Sequence, residues 1–367
     1  MKLLAQIAAL VVVTLFFSCS NNRVAPQSEP IYTPRYAKGF TIERDIASGA
    51  QYLVVKNPWQ GAKGAVFYTK IDSLAPPKRM VAMSSSHAAM IDVIGCSDRI
   101  VGLSGCRFIH SPSIRQAIAR GEICEVGYDS AFDFERVTLL NTDMVLLYGV
   151  AGEAKRITNK LDEVGIPYIY IGDYLESEPL GKAEWVVAIA YLCGVAEQGM
   201  AFFDVVAERY NALCAQQHSS AYRPRVMLNL PYRDSWFMPP HNSYMVRLIE
   251  DAGGHCLLPE EQDEDATTSK PISLEEAMEL ALQADFWINL GQIASKAELQ
   301  AVAPHFGEVD AVRFSRLYNN TKRTNESRGS DFWESGAVRP DLILADLVKI
   351  LHYESPTDSL YYYKKIE

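Results

Sequence analysis

Arg79-Met-Val-Ala-Met-Ser-Ser-Ser-His-Ala-Ala-Met-Ile-Asp-Val-Ile-Gly-Cys-Ser-Asp-Arg-Ile-Val-Gly102 decides the fold. Residues 80–83 are an apolar run of strand length, Ser84, Ser85 and Ser86 offer hydroxyls suited to capping a helix, and residues 100–103 are a second apolar run. Strand, helix and strand in so short a span predict a parallel pair in an α/β sheet. Downstream the alternation continues, with strand candidates at 144–148 and 168–171. A break at 179–181 opens a helical segment that runs to Gln217 and is interrupted near Gly194; its second half puts Phe202, Val205, Val206 and Leu213 on one stripe. After Arg223-Pro224 the pattern resumes, with strands at 226–230, 286–290 and 312–314 and a last helix opening at Pro340. Two α/β lobes, 79–178 and 223–367, joined by one long helical connection, 179–222, are the simplest organisation. Upstream, the β-like runs 39–43, 51–55 and 65–69 are punctuated by Gly and Pro and predict a small antiparallel β appendage over 36–78.

The extreme N-terminus lies outside that fold. Met1-Lys2 precedes an apolar run, 3–17, interrupted only by Gln6 and Thr14, which is too short to span a bilayer and has the shape of a signal h-region. It closes on Leu15-Phe16-Phe17-Ser18-Cys19, which resembles the lipobox of bacterial lipoproteins. Residues 1–18 therefore read as a lipoprotein signal peptide, Cys19 as the lipidated residue and 19–35 as a tether; the alternative is an ordinary cleaved signal with an incidental cysteine. The expected location is the cell envelope, with Ser20 favouring a periplasm-facing membrane anchor.

A net charge of -10 without clustered cations excludes a nucleic-acid partner. Six cysteines follow Cys19, at 96, 106, 124, 193, 214 and 256, in spacings that match no metal template. Cys106 and Cys124 flank one loop and are the first pair to test among the fifteen pairings that six cysteines allow, while Cys193 and Cys214 sit in helical apolar contexts as buried thiols. The seven histidines are scattered without a His-Glu-x-x-His motif, so no metal site is expected. With neither a Gly-x-Gly-x-x-Gly nor a P-loop, no cofactor is expected. Ser84–Ser86 beside His87 lack a nucleophile elbow and fit helix capping better than catalysis, so an enzyme is not expected.

The two lobes echo each other. Asp133-Phe-Glu135 and Ser273-Leu-Glu275 each open an amphipathic helix with an N-cap residue, carry a glutamate two positions on, and lead to an apolar strand just after Asp143 or Asp285. Ser273 with Glu276 fits a capping box, leaving Glu275 to solvent. The preference of a helix first turn for carboxylates explains either glutamate alone, but not their matched placement.

The ordered series formed by 79–102, Phe134-Glu135-Arg136, Gly165-Ile-Pro167, Ser273-Leu-Glu275 and Ser330-Asp-Phe-Trp-Glu-Ser-Gly-Ala-Val-Arg-Pro-Asp341 resembles the periplasmic binding proteins that deliver iron chelates and vitamin B12 to ABC importers. The resemblance implies two Rossmann-like lobes on a rigid connecting helix, a ligand cleft between them, and permease subunits as partners. It also implies one surface glutamate per lobe that pairs with permease arginines, and Glu135 and Glu275 hold those positions. Residues 36–75 and the tail 361–367 fall outside the shared core.

Ligands in such sheets bind beyond the carboxyl ends of the strands. That rule nominates Ser85, His87, Arg107, Tyr128 and Tyr148 in the first lobe and Arg233, Trp236, Arg323, Arg328 and Trp333 in the second. Aromatic walls with a few arginines suit a large planar or chelated anion; the competing reading places half of these aromatics in the core and the arginines in solvent. Trp236 and Trp333 stand out because their runs have charged neighbours and no strand alternation. The expected function is the substrate-binding lipoprotein of an ABC importer for an iron complex, a ferric siderophore or haem. Cobalamin is the alternative ligand, and a cell-envelope sensor or scaffold the alternative class.

Overall fold

The computed structural model describes residues 27–149, 153–217, 222–233, 235–260, 268–352 and 359–367, so Cys19 and the signal segment lie outside the described residues. The described chain enters through an antiparallel sheet of four strands in sequential order, β1 (Ser28–Tyr32), β2 (Phe40–Asp45), β3 (Gln51–Lys56) and β4 (Val66–Ile71). β1 falls inside the span expected as a tether, because Ser28 to Tyr32 pair with Ile42 to Asp45 instead of running free.

Between β1 and β2 the backbone is clamped to the body of the molecule. Glu184, fully buried, accepts from the Tyr32 hydroxyl (2.7 Å) and from the N–H groups of Arg35, Tyr36 and Ala37 (2.8–2.9 Å). Glu176 accepts from the N–H groups of Lys38 and Gly39 and from Trp185 Nε1 (2.9–3.1 Å). Buried carboxylates persist only when their lone pairs are met this fully. Gly39 is required there, since a Cβ would stand 2.8 Å from the Trp185 ring.

The first lobe is a parallel sheet of β5 (Met80–Ala82), β6 (Ile100–Leu103), β7 (Cys124–Glu125), β8 (Met144–Leu147) and β9 (Tyr168–Tyr170), in the order β7-β6-β5-β8-β9. It is linked by α1 (Ser85–Val93), α2 (Pro112–Ala119), α3 (Phe134–Leu139) and α4 (Glu153–Val164). Ser84 caps α1 by accepting from Ser86 N–H. The connection is two helices, α5 (Pro179–Leu192) and α6 (Ala196–Gln217), parted by Gly194 at φ 70. Bonds from Gly194 N–H to Tyr191 O and from Val195 N–H to Ala190 O close α5 around that left-handed glycine. α5 is apolar nearly all round and accordingly buried on all sides. α6 buries Phe203, Val206, Ala207 and Tyr210 and leaves Val205 46% exposed, so its inner stripe is rotated from the one read in the sequence.

The second lobe uses β10 (Arg225–Leu228), the short strands β11 (Pro231–Tyr232) and β12 (Ser235–Met238), α7 (Tyr244–Asp251), β13 (His255–Cys256), β14 (Lys270–Ser273) and α8 (Leu274–Ala281). β15 (Phe286–Ile288), α9 (Lys296–Val302), α10 (Asp310–Arg313), β16 (Leu317–Asn319), α11 (Pro340–His352) and β17 (Lys364–Lys365) complete it. Its main sheet runs β13-β10-β15-β16-β17, parallel except for β17. The strand expected at 312–314 is a correction: Val312 is buried as part of α10, and the strand lies at β16. A three-residue apolar run carries no period that separates the two. The tail is held as firmly as the appendage: Asp346 accepts from the N–H groups of Tyr361, Tyr362 and Tyr363 (2.6–3.0 Å), burying the last two rings. None of the six described cysteines is in a disulfide, Cys106 and Cys124 included.

Candidate ligand cleft and docking face

A cavity of about 400 Å3 opens beyond the carboxyl ends of β5 and β6 in one lobe and β10, β15 and β16 in the other. From the first lobe it takes Ser85, the opening residue of α1, and Phe108. Most of the rest is contributed by loops that leave parallel strands. Asn229 follows β10 at φ 67 and Asn289 follows β15 at φ 60, a left-handed conformation that asparagine tolerates better than most residues. Gln292 and Asn320 add two more carboxamides, and Thr321, Thr324 and Ser330 add hydroxyls. Asn320 as a residue is 9% exposed, and its carboxamide, with no hydrogen bond to another described residue, is left to the cavity. Arg328 is the cavity's arginine; its guanidinium has no ion pair or ring contact among the described residues, and its backbone is held at φ 66. Trp333, 51% exposed, stands at the rim.

The two lobes are latched beside this cavity. Asn325 donates from Nδ2 to Arg107 O and Ile109 O (3.1 and 3.0 Å), and its Oδ1 accepts from Ser327 and Gly329 N–H. Glu334 accepts from His110 and Ser111 N–H, both at 2.7 Å. A Cβ at Gly329 would fall 1.9 Å from Phe108 O, so only glycine lets the lobes meet there. Burial pushes the Glu334 carboxyl up to about 7 against the downward pull of those two N–H groups.

Of the residues nominated from sequence, Ser85, Arg328 and Trp333 line the cavity. Trp236 is a correction. It is fully buried in the second lobe's core against Trp287 and Phe306, with Nε1 donating to Leu228 O. Its place on β12, close in sequence to Arg233, disguised a core tryptophan. His87 is also corrected: the second residue of α1 to be buried, it lies 3.6 Å from Asp173 and out of the cavity. Burial alone would raise the Asp173 carboxyl, but Lys182 at 3.0 Å and His87 hold it well below the usual carboxylate range.

Arg323 is bonded to Asp331 and covers Tyr361, so its charge is used within the fold. Arg107 lies over Phe108 and Arg233 over Tyr232, and neither lines the cavity. Tyr128 is exposed near Gly105 and Tyr148 packs near Tyr174, both also outside the lining. The carboxamides were missed. The available signal was an Asn at the carboxyl end of three strands of the second lobe, at 229, 289 and 320.

On the outer surface, Asp133 caps α3 by accepting from Arg136 N–H and Ser273 caps α8 by accepting from Glu276 N–H. Glu135 and Glu275 are therefore equivalent first-turn positions, and both are exposed.

The family model described as "Periplasmic binding protein" matches residues 80–324. Among solved structures, a periplasmic heme binding protein from Pseudomonas aeruginosa superposes with a TM-score of 0.58 at 18% identity, covering 79% of this chain and 98% of that one. An Fe3+-Desferal-bound siderophore binding protein from Vibrio cholerae gives 0.55 at 16%, covering 75% and 99%. At these identities the likeness is one of fold. An uncharacterized lipoprotein of Methanocaldococcus jannaschii is 25% identical over 290 residues, covering 76% of this chain and 66%, just under two thirds, of that protein. The match of the family model over both sheets, from β5 to β16, places this chain in the periplasmic binding protein family.

Proposed function

We propose that this chain is the substrate-binding lipoprotein of an ABC importer, anchored in the cell envelope through Cys19, that carries an iron complex in its interlobe cleft to a membrane permease. The observation that carries the ligand reading is the pairing, in one cavity, of an unpaired guanidinium at Arg328 with the unpartnered carboxamide of Asn320. A guanidinium offers bidentate donors to an oxygen anion, and carboxamides both donate and accept. That chemistry favours a hydrophilic ferric chelate of the siderophore kind over haem or cobalamin, whose faces ask for aromatic walls. Relatives of the same fold include proteins named for binding heme, a ferric siderophore and vitamin B12, which keeps the three ligand classes in the test. Glu135 and Glu275 are the proposed contacts to permease arginines, consistent with their exposure and matched capping.

Titration of the mature protein with ferric siderophores, haem and cyanocobalamin, followed by tryptophan fluorescence, tests the ligand. A ferric siderophore is expected to bind, with Arg328→Ala and Asn320→Ala each weakening it at least tenfold. Tight cobalamin binding indifferent to Arg328→Ala would overturn the iron reading, and silence with all three classes would favour a sensor or scaffold. In cells, Glu135→Ala plus Glu275→Ala should abolish uptake while leaving binding within about twofold, a few tenths of a kcal/mol.

A further inference from the structure

The appendage has two edge strands, and only β1 is interrupted. β1 carries Pro30 and an irregular register between Pro30 and Tyr32, two devices that stop a further strand from pairing. β4 has neither. Its six residues pair with β3 in unbroken register from Lys56↔Val66 to Gln51↔Ile71. Lys56 N–H donates to Gly39 O on the β2 side. By the alternation of an antiparallel ladder, Val55, Leu53 and Gln51 then exchange bonds with Phe67, Thr69 and Ile71. The N–H and C=O groups of Val66, Tyr68 and Lys70 accordingly point away from the sheet, and among the described residues they have no backbone partner.

That open edge borders a groove of about 500 Å3, whose far wall is the base of the first lobe. Phe67 packs on Tyr168 and Tyr170 with ring centres 5.5 and 5.2 Å apart, which sets the distance between the walls. Asp72, Asp143 and Asp162 line the groove against the single cation Lys70. The hydroxyl of Thr69, a lining residue 9% exposed, has no hydrogen-bond partner. Leu74, 95% exposed, stands just beyond Asp72. The Glu184 and Glu176 clamps hold the appendage against α5, so the edge is a fixed template.

We propose that β4 is a docking edge for an extended, basic peptide segment of a partner protein. The segment adds as a further strand through the backbone of Val66, Tyr68 and Lys70, with its cationic side chains set against Asp72, Asp143 and Asp162. The excess of carboxylates in the groove selects a basic strand over an acidic one. The family match begins at residue 80, so this edge is an addition to the shared core and its use is independent of what the cleft binds.

The test uses the mature protein and two synthetic octapeptides, acetyl-(Lys-Val)4-amide and acetyl-(Glu-Val)4-amide, read by calorimetry and by amide hydrogen exchange. The basic peptide is expected to bind at least tenfold more tightly than the acidic one and to slow exchange at Tyr68 and Lys70 at least tenfold, leaving Asn320 unaffected. Tyr68→Pro removes an N–H that the fold does not use and should abolish binding; Asp162→Lys, an exposed change that spares the strand, should weaken it at least fivefold. No binding by the basic peptide, equal binding of both, or protection elsewhere overturns the proposal. So does concentration-dependent dimerisation that protects β4 without peptide, which would give the edge to a second copy. Protection already present in the peptide-free monomer would give it to the chain itself and overturn the proposal equally.

Discussion

The two ends of the described chain are fixed by the same device and put to different use. Near the N-terminus a buried carboxylate, Glu184, gathers three successive backbone N–H groups and a tyrosine hydroxyl; near the C-terminus Asp346 gathers three successive N–H groups. The appendage stays with α5 and β9, away from the cleft. The tail crosses to it: Tyr363 Oη donates to Oδ1 of Asn289, a residue of the cavity wall (3.0 Å). Anchoring is thus a property of local backbone satisfaction, and whether an anchored segment bears on the ligand depends on where its next side chain reaches.

The largest expected effect separates the two anchors. Glu184→Ala strands four donors in a buried site and should cost about 3–5 kcal/mol of stability, measured by urea unfolding, with ligand affinity unchanged in the folded fraction. Asp346→Ala strands three and should cost about 2–4 kcal/mol, but it should also lower ligand affinity, because Tyr363 loses its register. Equal effects on affinity from both substitutions would break the distinction between the ends.

The two-lobed α/β organisation was legible because apolar strand runs recur with helices between them, and β5, β6 and β15 begin within a residue of their sequence-read positions. Buried carboxylate clamps were not legible. Glu176, Glu184 and Asp346 look in the sequence like ordinary helix or loop acids, and the backbone N–H groups they bind lie 15–149 residues away. The cleft was half legible for a related reason. Topology puts strand ends there, which found Ser85, Arg328 and Trp333. Residue type cannot tell a core indole such as Trp236 from a ligand wall, nor a guanidinium consumed by Asp331 from a free one.

A third buried carboxylate sharpens the comparison, because Glu334 spans the lobes where Glu184 and Asp346 tether single segments. Its carboxyl titrates near 7 in the fold, pushed up by burial, against an ordinary value near 4.5 in the unfolded chain. The raised value means that the folded state holds the proton more strongly. The associated stability is therefore fully present below about pH 4.5, is lost as pH rises toward 7, and changes no further above that. The integrated loss is on the order of 3 kcal/mol. Comparing unfolding of the parent and of Glu334→Gln from pH 4 to 8 isolates this contribution: the variant should lack the decline across that window. Parallel curves would mean that the latch does not titrate there.

The smallest effect bears on the reach of the tail into the cleft. Tyr363→Phe removes one hydroxyl and leaves the ring and the Asp346 clamp in place, so its cost to stability should be about 1 kcal/mol, that of a single net hydrogen bond. Asn289 sits at φ 60 with Oδ1 held by that hydroxyl, which leaves Nδ2 for the cavity. Without the hydroxyl the carboxamide is free to turn, and a ligand that uses Nδ2 has to fix it on binding. Affinity for the cleft ligand should fall about threefold, equivalent to roughly 0.7 kcal/mol, in the titration that Glu184→Ala leaves unmoved. If Tyr363→Phe loses stability but keeps full affinity, the tail is an anchor like the appendage and the difference between the two ends disappears.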